Sequence, residues 1–178
     1  MTTCGPVTLR PIEKRDMEIL RGLLNDPDIA RWLIDYAFPV SSDSQDEWFQ
    51  SRLSKENAFR FMIEAEGKTV GTIVFSRIDP VNKTGEVGYK IARDDQGKNY
   101  ATCALRAMQQ FLFEEKGIEC IVAYHFLSNI SSRRVLEKAG FSYAGTRRGY
   151  IFKNGARQDV VYWVCCRKQY DQLRKDME

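Results

Sequence analysis

Gln96-Gly97-Lys98-Asn99-Tyr100-Ala101-Thr102 is a short polar turn set between two different hydrophobic periodicities. Before it, Glu86-Val87-Gly88-Tyr89-Lys90-Ile91 reads as a strand. After it, Ala101, Ala104, Leu105, Met108, Phe111 and Leu112 recur at the spacing of one helical face, in a run from Tyr100 to Glu115. The turn therefore joins the end of a strand to the start of a helix. The first N–H groups of a helix have no partner inside it, and with the helix dipole they form a seat for an anion. Little side-chain bulk lets a phosphate approach the backbone, and Lys98 can add a mobile positive charge. The spacing is not that of the nucleotide P-loop, and it is not G-x-G-x-x-G.

The chain has 178 residues, enough for one domain with a full core over 1–178. Hydrophobic residues at 43% and charged residues at 29% fit a soluble globular protein. No apolar run is long enough to span a bilayer, and Met-Thr-Thr-Cys-Gly-Pro lacks a signal-peptide pattern. The five cysteines (Cys4, Cys103, Cys120, Cys165 and Cys166) contain no C-x-x-C pair. They read as reduced thiols of a cytoplasmic protein, with Cys103, Cys120 and one of the last two in the core. One histidine and adjacent cysteines argue against a zinc site, and no metal is expected.

Net charge is +3 but unevenly spread. Residues 26–47 carry six acids (Asp26, Asp28, Asp35, Asp43, Asp46, Glu47) against one base, Arg31. Residues 133–157 carry seven bases (Arg133, Arg134, Lys138, Arg147, Arg148, Lys153, Arg157) against one acid, Glu137. Two solvated faces explain this; so does a molecule with one end for cations and one for anions. The basic stretch has no nucleic-acid-binding motif beside it, and neither nucleic acid nor membrane is expected as a partner.

Val7 to Pro11 reads as a first strand. Three helices follow: Glu13 to Leu24 with Met17, Leu20 and Leu24 inward, then Asp28 to Ile34, then Ser44 to Leu53 with Trp48, Phe49 and Leu53. Ala58–Ala65, Thr69–Arg77 and the run ending near Ala92 form an antiparallel meander, turned first at Glu66-Gly67-Lys68. After the long helix come a strand (Ile118–Phe126), a helix (Asn129–Lys138) capped by Gly140, and two strands (Phe141–Phe152, Asp159–Cys166) joined by Asn154-Gly155. Arg167 to Met177 is a polar terminal helix or tail. Strand, crossover helix and strand over 84–126 predict one parallel pair in a mostly antiparallel sheet.

The turn at Gln96 resembles the pyrophosphate-binding loop of the GNAT acetyltransferase superfamily, Gln/Arg-x-x-Gly-x-Gly/Ala. Gln96 and Ala101 match, and Asn99 stands where that pattern has glycine. Asn tolerates left-handed backbone better than most residues with a side chain. Asn129 to Phe141, with Glu137-Lys138 and Gly140-Phe141, resembles the family's fourth-helix signature. Leu9-Arg10-Pro11, Glu86-Val87-Gly88-Tyr89 and the Asn-Gly hairpin resemble the branch of ribosomal-protein N-terminal acetyltransferases and spermidine acetyltransferases. The resemblance runs from Val7 to about Cys166. It implies an α/β (α+β) fold: a mixed, mostly antiparallel sheet of six to seven strands, flanked by helices, with one splayed parallel pair.

The resemblance further implies direct acetyl transfer from acetyl-CoA to an amine in a ternary complex. Pantetheine would lie between the splayed strands and pair with backbone groups of Ile91 and Ala92, where an N–H can polarise the thioester carbonyl. Gln96, Gly97, Lys98, Asn99, Tyr100, Ala101 and Thr102 would hold the phosphates. Asn129 and Ser132 would touch the cofactor from the following helix, or merely cap it. Glu86 is the first candidate for the base that neutralises the amine; its alternative is a solvated residue after a turn. His125, alone in an apolar strand, reads as structural. Many relatives protonate the thiolate with a Tyr where this chain has Leu136, and Ser132, one turn earlier on the same face, is the substitute. Tyr36, Phe38, Trp48 and Tyr150 lie in segments that border the acceptor site in the family, where one or two of them line the cleft.

Three readings stand at this stage: acetylation of a small cationic amine such as a polyamine, acetylation of a protein N-terminus of the ribosomal-protein type, and CoA binding without turnover. A homodimer is compatible with each.

Overall fold

Glu66-Gly67 and Asn154-Gly155 take left-handed backbone at both positions, with φ of +53° and +79° and of +54° and +77°. Two such residues in a row make the primed turn whose twist matches that of paired strands. Each turn closes a hairpin of the structure, a computed structural model that describes residues 2–34, 39–52 and 57–175. The first joins β3 (Phe59–Ala65) to β4 (Lys68–Asp79), and the second joins β7 (Ser142–Lys153) to β8 (Ala156–Cys166). With β1 (Thr2–Cys4), β2 (Val7–Pro11), β5 (Thr84–Ile91) and β6 (Cys120–Phe126) they build one sheet, ordered β1-β2-β3-β4-β5-β6-β8-β7. Every neighbouring pair is antiparallel except β5 and β6.

Eight strands exceed the expected six to seven. The addition is β1, which folds back on β2 after Gly5 at φ +56°. Three residues are too few to display an alternation, so only pairing reveals this strand.

Helices α4 (Tyr100–Gln110), α5 (Ile130–Lys138) and α6 (Arg167–Lys175) cover one face of the sheet. Val7, Leu9, Ile63, Ile73, Phe75 and Val87 meet Ala104, Leu105 and Met108 of α4, Leu136 of α5 and Tyr170 of α6 in one continuous core. Helices α1 (Met17–Asn25), α2 (Pro27–Ala30) and α3 (Ser42–Arg52) belong to the other side. There Met17 and Leu20 of α1, with Trp48 and Phe49 of α3, pack on Met62 of β3 in a smaller cluster. Fully burying a side chain such as Met17, Leu20 or Met62 is worth roughly 1.5–3 kcal/mol, and the half-buried Trp48 and Phe49 add to it, which is what pins α1 and α3 over β2–β4.

The first helical segment departs from expectation. The chain makes a 3-10 turn over Lys14–Asp16 before α1 starts at Met17, and Leu23, not Leu24, is buried beside Met17 and Leu20. Asp16 explains the late start. Both its oxygens are held by the Arg10 guanidinium at 2.7 Å, and it accepts the N–H of Glu13 at 2.8 Å. The second helix, capped by Asp26 with Pro27 in its first turn, stops at Ala30, short of Ile34. The carbonyls of Ala30 and Leu33 accept instead from Nζ of Lys153. The long helix ends as a wider π turn over Phe111–Glu115, where the Phe111 ring meets Phe59 and Phe61 edge-on at 5.2 and 5.3 Å. Leu53 lies outside the described residues.

α5 ends as expected at Gly140. The Gly140 N–H donates to Glu137 and the Phe141 N–H to Leu136, with Gly140 at φ +79°. This Schellman arrangement satisfies the last carbonyls of the helix. All five cysteines are free. Cys165 is in the core as expected, but Cys103 and Cys120 are only half-buried. Cys120 faces Cys166 across the β6–β8 ladder with sulfurs 2.7 Å apart. Among the described residues no helix is long and apolar enough to cross a membrane.

Candidate active site

β5 and β6 pair over three positions only: Thr84 with Cys120, Gly85 with Ile121 and Glu86 with Val122. Beyond them β5 follows β4 as far as Ile91 opposite Gly71, while β6 follows β8 as far as Phe126 opposite Val160. Each strand is held by its outer neighbour, so the sheet's twist opens a gap between them. Gly71 allows β4 to keep β5 close: a Cβ there would sit 2.1 Å from the carbonyl oxygen of Lys90.

The Gln96 loop stands at the end of β5. Gln96 donates from Nε2 to the Ile91 carbonyl at 3.1 Å, tying loop to strand. Gly97 has φ +78° and open space around it, since a Cβ would meet nothing within 4 Å. Asn99 has φ +65° immediately before α4. It thus adopts the left-handed backbone for which the family pattern uses glycine. The helix's first bond runs from the Cys103 N–H to the Asn99 carbonyl, which leaves the preceding N–H groups at the helix start for an anion. The side chains of Tyr100 and Thr102 are buried and that of Ala101 is half-buried, so these residues offer backbone rather than side chains.

Lys98 is not the mobile charge expected. Its Nζ lies 2.9 Å from Asp95, which Lys68 also binds at 2.6 Å. The two lysines hold the Asp95 carboxyl below its ordinary pKa, and Asp95 raises that of Lys98. Ala92 is also engaged: its N–H donates to Val70 at 2.8 Å and its carbonyl accepts from Asp95 at 2.9 Å. Alternation along the antiparallel ladder turns the N–H of Ile91 the other way, toward the gap. Ile91 is therefore the residue with a backbone donor to spare there.

Across the gap, Asn129 caps α5 by accepting the Ser132 N–H at 3.1 Å. The capping role is thus realised, and Ser132 is half-buried in the first helical turn. His125 is structural, as read from the sequence. Its Nδ1 meets the Phe126 carbonyl at 2.7 Å and its Nε2 accepts from Trp163 at 2.9 Å. Burial lowers its pKa, so a neutral ring holds both contacts.

Glu86 lies at the vertex of the gap. Register groups it with Ser76, and the same alternation groups Met62 with Thr72 and Lys90. Glu86 therefore faces the side that carries α1 and α3, where it is half-buried. Its Oε2 accepts from Tyr124 at 2.7 Å and from Arg77 at 2.9 Å. Arg77 reaches it from an irregularity in β4, where its backbone is left-handed at φ +50°. A bulge re-aims a side chain in this way. Tyr124 lies beside Tyr162 with the rings tilted by 40° and their centroids 5.4 Å apart, and Arg147 lies over the rings of Tyr150 and Tyr162 at 4.8 and 4.9 Å. The sequence reading missed Arg77, Tyr124 and Tyr162, and it named Arg147 only as one of the bases of residues 133–157. Tyr124 was within reach, because it alternates with Ala123 and His125 onto the Glu86 face; the Arg77 bulge leaves no sequence signal.

Tyr150 borders this face, whereas Trp48 packs in the α1–α3 cluster with Arg60 over its ring. Tyr36 and Phe38 lie outside the described residues, as does Asp35. Of the other acids in 26–47, Asp26 caps α2 and Asp28 is bound by Arg93 at 2.8 Å; Asp43, Asp46 and Glu47 are exposed on α3. A groove of about 210 Å³ opens by Phe126 and Ser128 at the far end of β6, against Arg31, Trp32 and Lys153. A larger one of about 280 Å³, between α4, α6 and β1, is remote from the gap and holds none of these groups. No cluster of three metal-ligating side chains occurs among the described residues.

An anion seat, a slot edged by unpaired strand, and a carboxylate at its vertex are the parts of an acyl-transfer site. The chain belongs to the GNAT family: the acetyltransferase (GNAT) domain matches residues 7–142. It is an N-acetyltransferase of that family. The putative ribosomal N-acetyltransferase YdaF of Bacillus subtilis is 30% identical over 171 residues, covering 93% of this chain and 93% of that protein. The spermidine N(1)-acetyltransferase of Escherichia coli is 22% identical over 170 residues, covering 96% and 91%. The spermidine N-acetyltransferase of Vibrio cholerae, crystallised with CoA and spermine, shares the fold with a TM-score of 0.88 at 22% identity, over 93% of this chain and 98% of that one.

Proposed function

We propose that the protein transfers the acetyl group of acetyl-CoA to a primary amine, with both substrates bound at once. The observation that carries the reading is the gap between β5 and β6, with the Gln96 loop at one end and Glu86 at its vertex. Acetyl-CoA supplies an activated thioester and a pyrophosphate handle. The N–H groups from Gly97 to Thr102 bind the pyrophosphate, and the N–H of Ile91 donates into the gap. Glu86 takes the proton of the attacking amine, and Ser132 faces the departing sulfur. Because Glu86 already accepts from Arg77 and Tyr124, the amine must displace one of them or pass its proton through the Tyr124 hydroxyl. The chain acts as one acetyltransferase domain, and its five free thiols accord with the cytoplasm.

The acceptor we favour is a small cationic amine. Asp43, Asp46 and Glu47 on α3 stand exposed on the same side of the sheet as Glu86 and raise the local concentration of cations. A protein N-terminus is the second reading. It is favoured by Arg147, Tyr150 and Tyr162, an aromatic and cationic wall that no helix among the described residues covers. CoA release measured across polyamines, amino sugars, amino acids and N-terminal peptides tests both. Asp43→Asn with Asp46→Asn should raise KM for a polyamine and leave that for acetyl-CoA unchanged. An unchanged polyamine KM, or preference for peptides, removes the first reading; no turnover with any amine removes acetyl transfer.

A further inference from the structure

Tyr89 holds the one buried side-chain polar atom without a hydrogen-bond partner among the described residues, its hydroxyl oxygen. The residue lies on β5 past the last β5–β6 pair, so its strand edge borders the open gap. Register with Ile73 turns its ring toward the α4–α5 core, the face opposite to Glu86. The polar side chain that acts on it is Ser132, in the first turn of α5. The contact falls short of a hydrogen bond of good geometry. Burial pushes the phenol up to about 12, so it stays a protonated donor at every working pH. Ser132 is half-buried, whereas the Tyr89 hydroxyl oxygen is buried.

A buried donor left unsatisfied is destabilising, and folds rarely retain one without a use. The use here follows from what Ser132 does. When Ser132 turns its O–H toward a negative sulfur, the charge polarises the hydroxyl and makes its Oγ a better acceptor. That is the acceptor the phenol lacks. The Tyr89 bond therefore strengthens as charge develops, which is the condition for an interaction to accelerate a reaction.

We propose that Tyr89 is a positioning residue for departure of the thiolate: its phenol donates to Ser132 Oγ while Ser132 donates to the sulfur. The proposal rests on the acetyl-transfer reading of Ser132. The C–N bond forms, the C–S bond breaks with both electrons on sulfur, and the amine's proton leaves through Glu86. Neither hydroxyl is ionised; the two donors share the sulfur's charge in a chain.

Tyr89→Phe removes one oxygen and keeps the ring. Kinetics with whichever amine the wild-type protein acetylates, and thermal unfolding without ligand, test the idea together. The variant should lose roughly tenfold in kcat, as expected for a bond to a charged chain, with KM for acetyl-CoA unchanged. Its Tm should equal or exceed that of wild type, because the unsatisfied hydroxyl is gone. Tyr89→Phe and Ser132→Ala together should be no slower than Ser132→Ala alone. Wild-type kcat in Tyr89→Phe overturns the proposal, as does a fall in Tm that accounts for lost activity. Multiplying effects in the double variant also overturn it, since Tyr89 then does not act through Ser132. If Ser132→Ala alone is fully active, the reading of Ser132 fails and takes the relay with it.

Discussion

Tyr124 donates its phenolic O–H to Oε2 of Glu86 at 2.7 Å, joining β6 to β5 at the point where the two strands part. The bond spans the vertex of the gap, and Arg77 donates to the same oxygen. A carboxylate so bound is oriented before any substrate arrives. Glu86→Gln should lower kcat about a hundredfold, the usual contribution of a general base, with acetyl-CoA affinity near wild type. Tyr124→Phe should cost less, roughly three- to tenfold, as one hydrogen bond to a charged group. Steady-state kinetics decide: a Glu86→Gln enzyme with wild-type kcat assigns the carboxylate to a structural ion pair.

The left-handed Asn99 makes the anion seat sensitive to side-chain shape. Asn99→Gly should keep or deepen the thermal shift caused by acetyl-CoA, because glycine adopts this backbone freely. Asn99→Val should abolish most of it, since a β-branched residue there is strained. A titration in which Val and Gly variants shift alike means that the phosphates bind elsewhere.

Gly71 sets the position of Ile91 through its contact with Lys90. The conflicting atom is backbone oxygen at 2.1 Å, which no rotamer can avoid. Gly71→Ala should therefore push β4 from β5 and cost roughly 1–3 kcal/mol, the range for overpacking, read as a lower urea midpoint. Acetyl-CoA affinity should fall as well, because the end of β5 borders the gap. Unchanged affinity in a destabilised variant would separate the strand's placement from cofactor binding.

His125 should make stability pH-dependent in a defined direction. Burial lowers its pKa in the folded protein from the ordinary 6.5. The neutral ring's contribution is complete above that value. As pH falls below about 6.5, the unfolded chain takes up a proton that the buried ring resists, so stability declines, at most about 1.4 kcal/mol per pH unit. His125→Asn removes this titration, and its stability should fall less steeply between pH 6.5 and 5. Parallel curves for the two proteins refute the assignment.

By itself the sequence determined what repeats locally. The 3.6-residue period from Ala101 to Met108, the Asn154-Gly155 turn, the Gly140 cap and the Gln96 loop each depend on backbone preferences of a few adjacent residues, and each forms where it was read, whereas the end of the long helix widens into a π turn from Phe111. Their order was enough to define the fold family. Tertiary structure alone decided what depends on distant partners. Lys68 and Lys98 meet on Asp95 across a sheet, so a lysine read as mobile is tethered. Asp16 delays α1 because Arg10 holds it, and Thr2–Cys4 is a strand only because β2 is there to pair with it. Arg77, Glu86 and Tyr124 share one oxygen although 47 positions separate the first from the last, and no local preference encodes such a meeting. The Tyr89 hydroxyl makes the same point from the other side: its lack of a partner is a property of everything packed around it.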